Sequence, residues 1–115
     1  MISPITTHVL DLVQGTPANN ISAVLEKLND LDSWESIGNG VTNDDGRIDN
    51  ILTGDRLISS GRYRLTFDVA PYFESQGVES FYSSIPIIFS ITDPNRHYHV
   101  PLLLSRFGYS TYRGS

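Results

Sequence analysis

The chain has 115 residues, 39% of them hydrophobic and 18% charged, with no cysteine and a formal net charge of -5 at pH 7. This length and composition suit one globular domain over residues 1–115 and lie far from the low-hydrophobicity, high-charge regime in which chains stay unfolded. The acidic balance excludes a nucleic-acid binder, which needs clustered Lys and Arg, and the missing cysteines exclude disulfides and thiolate metal sites.

Short segments rich in β-branched and aromatic residues recur with turn signals between them, the spacing of an all-β sandwich rather than of βαβ units. The first predicted strand runs from Ile5 to Asp11, with Thr6, His8 and Leu10 on one face and Ile5, Thr7 and Val9 on the other. Gln14-Gly15-Thr16-Pro17 breaks it. Strands follow from Ile21 to Leu28 and from Trp34 to Thr42, and the latter ends at Asn43-Asp44-Asp45-Gly46, residues that tolerate left-handed backbone. Arg47 then begins a strand directly after a tight turn. Past Ser59-Ser60-Gly61, the segment Tyr63 to Val69 alternates cleanly, with Tyr63, Leu65, Phe67 and Val69 on a core face and Arg64, Thr66 and Asp68 opposite. Ala70 to Gly77 carries Pro71 where a first helical turn tolerates proline and Gly77 where a helix would end, so one short helix belongs there. From Ile85 to Thr92 the residues Ile85, Ile87, Phe89 and Ile91 share a face, and Pro86 marks an edge strand or a strand start. The last strands run from His97 to Leu104, after the turn Asp93-Pro94-Asn95, and from Tyr109 to Arg113.

Met1-Ile2-Ser3-Pro4 lacks the basic stretch and apolar run of a secretory signal, no run approaches the roughly 20 apolar residues of a membrane span, and Arg113-Gly114-Ser115 is not the Ser-Lys-Leu peroxisomal address. The expectation is a soluble cytoplasmic protein with no membrane partner, with peroxisomal and periplasmic settings left open.

The tail is where chemistry concentrates. Alternation puts His97 and His99 on one surface with Pro101, while Tyr98 and Val100 face the other way. With His8, three histidines on predicted strands permit either a general acid/base site or a His-ligated metal site, and spacing alone does not decide between them. A lone strand histidine is ordinarily a hydrogen-bonded structural residue, and Arg47 taken alone reads as a solvated surface charge. No carboxylate is adjacent to the histidine pair in sequence, as a metal site's outer ligands would require. Asp44 and Asp45 look like a calcium-loop fragment, but the later Gly and bidentate Glu of an EF-hand are missing. No nucleophile elbow, Walker sequence or dinucleotide fingerprint occurs.

Taken together, Thr7-His8-Val9-Leu10-Asp11, Asn43-Asp44-Asp45-Gly46-Arg47, the tail from His97 to Ser105 and the terminal Tyr112-Arg113-Gly114-Ser115 resemble the transthyretin-like 5-hydroxyisourate hydrolases. The terminal tetrapeptide is that family's most specific signature. The resemblance includes Gly15-Thr16-Pro17-Ala18 and the Tyr72-Phe73 helix, so it spans nearly the whole chain, from about Pro4 to Ser115. It implies a transthyretin-like β-sandwich of seven or eight strands with one short helix, assembled as a homotetramer, a dimer of dimers, with active sites in the cleft between dimers. It also implies catalytic roles for His8, Arg47 and His99, substrate contacts from His8, Arg47, Tyr112 and Ser115, an accessory place for His97, and no metal or cofactor. The chain departs from the pattern at Arg106, where the family commonly has proline or one of a few other residues.

The implied reaction is hydrolysis of 5-hydroxyisourate to 2-oxo-4-hydroxy-4-carboxy-5-ureidoimidazoline in urate breakdown. In it, His8 and His99 would manage the protons of water and leaving nitrogen, and Arg47 would anchor the substrate through its planar fork. One rival is a non-enzymatic carrier of a small aromatic ligand on the same fold, which would favour apolar residues at positions 8, 99 and 112. The other is a structural β-sandwich module, which would gain nothing from a specific terminus.

Overall fold

The computed structural model describes residues 3–52 and 57–115. The seven predicted strands all form, each within two residues of its expected ends: β1 (Ile5–Asp11), β3 (Ser22–Leu28), β4 (Trp34–Val41), β6 (Gly61–Asp68), β7 (Ser84–Ile91), β8 (Tyr98–Leu104) and β9 (Tyr109–Thr111). Two strands of two residues each, β2 (Thr16–Pro17) and β5 (Arg47–Ile48), are added to them. They are too short to show a period, and only pairing with β1 defines them.

The helix α1 (Ala70–Glu74) is where it was expected but stops short of Gly77. Its end is drawn in by Ser75, whose backbone N–H and hydroxyl donate to the carbonyls of Pro71 and Tyr72, and by the tight turn from Glu74 to Gly77. His97 also differs from expectation, since it lies just ahead of β8 rather than within it. The turn at Asp93–Arg96 is closed by the Arg96 N–H on the Asp93 carbonyl, and pairing with β1 begins only at Tyr98 opposite Ile5.

The strands form two sheets. One runs β4-β3-β6-β7 and is antiparallel throughout. The other runs β2-β1-β8-β9, with β5 sharing the outer edge of β1 with β2. Its central pair, β1 and β8, is parallel, and its remaining pairs are antiparallel. Pro86 occupies β7, an edge strand, where a missing N–H breaks no ladder.

Alternation decides which side chains meet between the sheets. Ile5 and Val9 of β1, Leu25 of β3, Tyr63, Leu65 and Phe67 of β6, and Leu102 and Leu104 of β8 are almost fully buried there, with Phe73 of α1. The Tyr63 hydroxyl is satisfied by the Ser59 backbone, donating to its carbonyl and accepting from its N–H. One carboxylate joins the buried set. Asp11 is 1% exposed, and it accepts from the N–H groups of Val13 and Gln14 and from the Tyr72 hydroxyl. It thus ties the end of β1 to the helix. Burial and the Asp11 carboxylate push the Tyr72 phenol up to about 12. Among the described residues no helix is long and apolar enough to cross a membrane.

Because the inward residues of β1 are Ile5, Thr7, Val9 and Asp11, the residues Thr6, His8 and Leu10 take the opposite face. On β8 the inward set is Tyr98, Val100, Leu102 and Leu104, which leaves His99, Pro101 and Leu103 on that same outer face.

Candidate functional site

The parallel register of β1 and β8 sets Thr6 opposite His99 and His8 opposite Pro101, while the antiparallel pairing of β5 sets Arg47 opposite His8. Residues far apart in sequence thereby share one patch on the outer face of the five-stranded sheet. Neighbouring strands lie about 4.8 Å apart, so the His8, Arg47 and His99 side chains rise from adjacent positions.

Arg47 owes its place to the turn before it. The Asn43 side chain accepts from the N–H groups of Asp45 and Arg47, and Gly46 adopts a φ of +74°, which disfavours any residue with a Cβ. A side chain at Gly46 would also run into the Val9 carbonyl oxygen, which accepts from the Ala18 N–H, while the Gly46 carbonyl accepts from the Val9 N–H at 2.7 Å. The sequence Asn43-Asp44-Asp45-Gly46 is therefore a device for starting β5 against β1.

His99 is held on three sides. Its Nδ1 lies 2.8 Å from the Thr6 hydroxyl, and that hydroxyl lies 3.0 Å from Nε2 of His97. The two imidazoles stand nearly parallel, with ring centres 6.4 Å apart. On the other flank the tail returns. Gly114 donates its N–H to the His99 carbonyl at 2.8 Å, and a Cβ on Gly114 would sit 2.6 Å from Cδ2 of the His99 ring. Only glycine lets the tail lie this close to the ring.

The bridge between His99 and Gly114 keeps the register in which β9 pairs Thr111 with Leu102, so Tyr112 falls opposite Pro101, on the face that bears the histidines. Ser115 follows Gly114 at the exposed end of the tail. Arg113 takes the other parity, and its guanidinium covers the Tyr98 ring at 4.5 Å. A cleft of about 230 Å³ opens there, lined by Phe89 of β7, Tyr98, Thr111, Tyr112 and Arg113 among others, and reaches His99.

Electrostatically the patch favours a neutral imidazole at position 99. Burial holds the His99 pKa below its usual 6.5, the Arg47 cation, His8 and His97 push it the same way, and the Asp49 carboxylate opposes them. Asp49 is a carboxylate that folding brings to the histidines although none is beside them in the sequence. Among the described residues no group of three or more His, Cys, Asp or Glu side chains is arranged to hold a metal ion.

His8, Arg47, His97, His99 and Tyr112 thus share this face or its margin, with Ser115 exposed beyond Gly114, and the structure adds Thr6, Gly114 and Asp49. For Thr6 a signal was available, since alternation put it beside His8. For Gly114 the motif was visible but its packing against His99 was not. Arg106 sits at the other end of β8 from His99, about 17 Å along the strand from His99 to Leu104 alone. Its Nε donates to the Glu79 carbonyl and its guanidinium packs on Phe107.

A family model described as HIUase/Transthyretin matches residues 5–114. The chain belongs to the HIUase/Transthyretin family. Among its relatives, a mouse protein named 5-hydroxyisourate hydrolase is 43% identical over 114 residues, covering 98% of this chain and 96% of the relative. A probable 5-hydroxyisourate hydrolase of Caenorhabditis elegans is 45% identical over 111 residues, 96% of this chain and 81% of its own. In this family the fold alone does not separate functions. Sea bream transthyretin, solved with thyroxine, superimposes with a TM-score of 0.90 at 33% identity over 97% of this chain and 95% of its own. The 5-hydroxyisourate hydrolase of Klebsiella pneumoniae gives 0.82 at 37% identity over 96% and 98%.

Proposed function

We propose that this family member hydrolyses 5-hydroxyisourate to 2-oxo-4-hydroxy-4-carboxy-5-ureidoimidazoline. The observation that carries the proposal is the convergence of His8, Arg47 and His99 on one outer sheet face, with the returning tail packed against the His99 ring. Relatives above 40% identity bear the hydrolase name over nearly the whole chain, which supports the same substrate here.

The chemistry follows from the residue types. Water adds to the ring carbonyl as a base removes its proton, the C–N bond of the six-membered ring breaks, and the departing nitrogen takes a proton. A largely neutral His99 is suited to the first task near pH 7, and between them His99 and His8 return the proton to the departing nitrogen; such proton transfer is typically worth about 10²- to 10⁴-fold. Arg47 orients the substrate and steadies the developing oxyanion through its fork of N–H donors. Tyr112 and Ser115 offer hydroxyls at the substrate end. No covalent enzyme intermediate is needed.

A carrier of an apolar aromatic ligand has the likeness to the thyroxine complex in its favour. A surface carrying two imidazoles and a guanidinium suits a polar, hydrogen-bonding heterocycle better. The assembly we propose is a homotetramer built as a dimer of dimers. Support comes from β7 and β9, which end their sheets, and from exposed Ile88, Phe81, Phe107 and Tyr109 nearby. Light scattering should give about four times the 12.8 kDa protomer mass.

The deciding experiment follows the absorbance of 5-hydroxyisourate made in place from urate. The protein should accelerate its decay far beyond the spontaneous rate, and His99→Ala should abolish that acceleration without unfolding the chain. A wild-type protein that leaves the spontaneous rate unchanged, or a His99→Ala variant at wild-type rate, sinks the proposal.

A further inference from the structure

The Thr6 hydroxyl has one proton and two imidazole neighbours, Nε2 of His97 at 3.0 Å and Nδ1 of His99 at 2.8 Å. It can donate to only one of them and accept from the other, since accepting from both would leave its own buried hydrogen without an acceptor among the described residues. With both rings neutral, the tautomers are therefore linked. If Nδ1 of His99 carries a hydrogen and donates to Thr6, then Thr6 donates to His97, and Nε2 of His99 is left with a lone pair. If His97 donates to Thr6, then Thr6 donates to His99, and Nε2 of His99 carries the hydrogen. The first arrangement makes His99 a base at Nε2 and the second makes it an acid.

Burial differs along this chain of groups. Thr6 is 4% exposed and fixed in the middle of the sheet, with a β-branched side chain that has few rotamers. His97 is exposed at the rim, so its ring reaches solvent. Among the described residues the ionisable groups around His99 are His97 ahead of β8, His8 on β1, Arg47 on β5 and Asp49 just after it. Of these, only His97 hydrogen-bonds to Thr6.

We propose that Thr6 is a positioning residue that couples His99 to His97 and, through His97, to solvent. The coupling rests on the hydrolase reading above. When Nε2 of His99 takes a proton from water, Nδ1 releases its hydrogen to the Thr6 oxygen while the Thr6 hydrogen passes to Nε2 of His97. His97 then loses its Nδ1 hydrogen to solvent. Every hydrogen is accounted for, and His99 is left neutral with a hydrogen on Nε2, ready to protonate the departing nitrogen. The reverse shift, with His97 taking a proton from solvent, restores the first arrangement.

The test compares Thr6→Val, which keeps the shape and removes the hydroxyl, with Thr6→Ser, which keeps the hydroxyl and removes the methyl. Thr6→Val should lower kcat by roughly 10²-fold with KM little changed, and Thr6→Ser should stay within roughly 3-fold of wild type. Imidazole nitrogen NMR gives a readout independent of turnover. The wild type should show opposed tautomers at His97 and His99, linked through Thr6, and Thr6→Val should lose that opposition. An active wild type beside a Thr6→Val variant of unchanged kcat and unchanged nitrogen shifts overturns the coupling and leaves the hydrolase reading intact. Thr6→Ser losing as much activity as Thr6→Val overturns it too, because a packing role needs the methyl and the relay does not. A wild type without activity strikes the underlying reading instead, and the NMR comparison still decides whether the tautomers are linked.

Discussion

Replacing Gly114 with Ala adds a single methyl at the point where the tail meets the His99 ring. That Cβ would stand 2.6 Å from Cδ2 and 3.3 Å from Cγ of His99, and 3.3 Å from Cγ of Pro101. Carbon atoms in comfortable contact are about 3.5 Å apart or more, so ring and tail must separate by about 1 Å. Neither can move freely. The ring is tied to Thr6 through Nδ1 at 2.8 Å, Pro101 is buried beside it, and the tail is tied by the Gly114 N–H on the His99 carbonyl. Displacing a reacting group by about 1 Å costs on the order of 10²-fold in rate, which is about 2.7 kcal/mol of barrier. The core between the sheets is untouched, so the thermal midpoint should move by no more than a few degrees. The assay is the decay of 5-hydroxyisourate generated from urate, read beside a melting curve. A Gly114→Ala variant that folds and turns over within roughly 3-fold of wild type refutes the claim that the tail positions His99.

Four further outcomes are expected. Asp11→Ala removes a buried acceptor of three hydrogen bonds and should cost about 3 kcal/mol, or roughly 10 °C in Tm, while Tyr72→Phe, which removes one of them, should cost about 1–2 kcal/mol; equal losses in the two variants would contradict this reading of Asp11. Because the base must be neutral and the His99 pKa is held below 6.5, the acid limb of kcat/KM should have its midpoint below pH 6.5. Asp49→Asn removes a group that opposes that shift and should move the acid limb to still lower pH; a move upward would show that the electrostatic account has the wrong sign. Exhaustive treatment with EDTA should leave hydrolysis unchanged, and a loss of activity restored by Zn²⁺ would overturn the metal-free mechanism.

The strands were legible in the sequence because a half-buried strand writes its orientation into every second residue. Tyr63, Leu65 and Phe67 declared a core face, and β6 buries all three. Pro86 declared an edge strand or a strand start, and β7 is an edge strand. The start of β5 at Arg47 was legible from the turn before it, whereas β2 was illegible because two residues have no period and its existence depends on what lies beside it. The helix end was read three residues late, since the hydroxyl and backbone of Ser75 close the last turn before Gly77 does.

The candidate site divides in the same way. Local alternation on each strand already grouped Thr6 with His8, and His97 with His99, since the side-chain period of two needs nothing beyond the strand itself. It could not say that the two groups face each other. That depends on β1 and β8 lying side by side in parallel, with Thr6 opposite His99, on the Gly46 turn delivering Arg47 opposite His8, and on the tail folding back so that Gly114 meets the His99 ring. The sequence by itself determined a β-sandwich and which residues point together from each strand. Only the tertiary structure decided which strands are neighbours and in what register, because pairing between segments some ninety residues apart is set by the closing of the whole core.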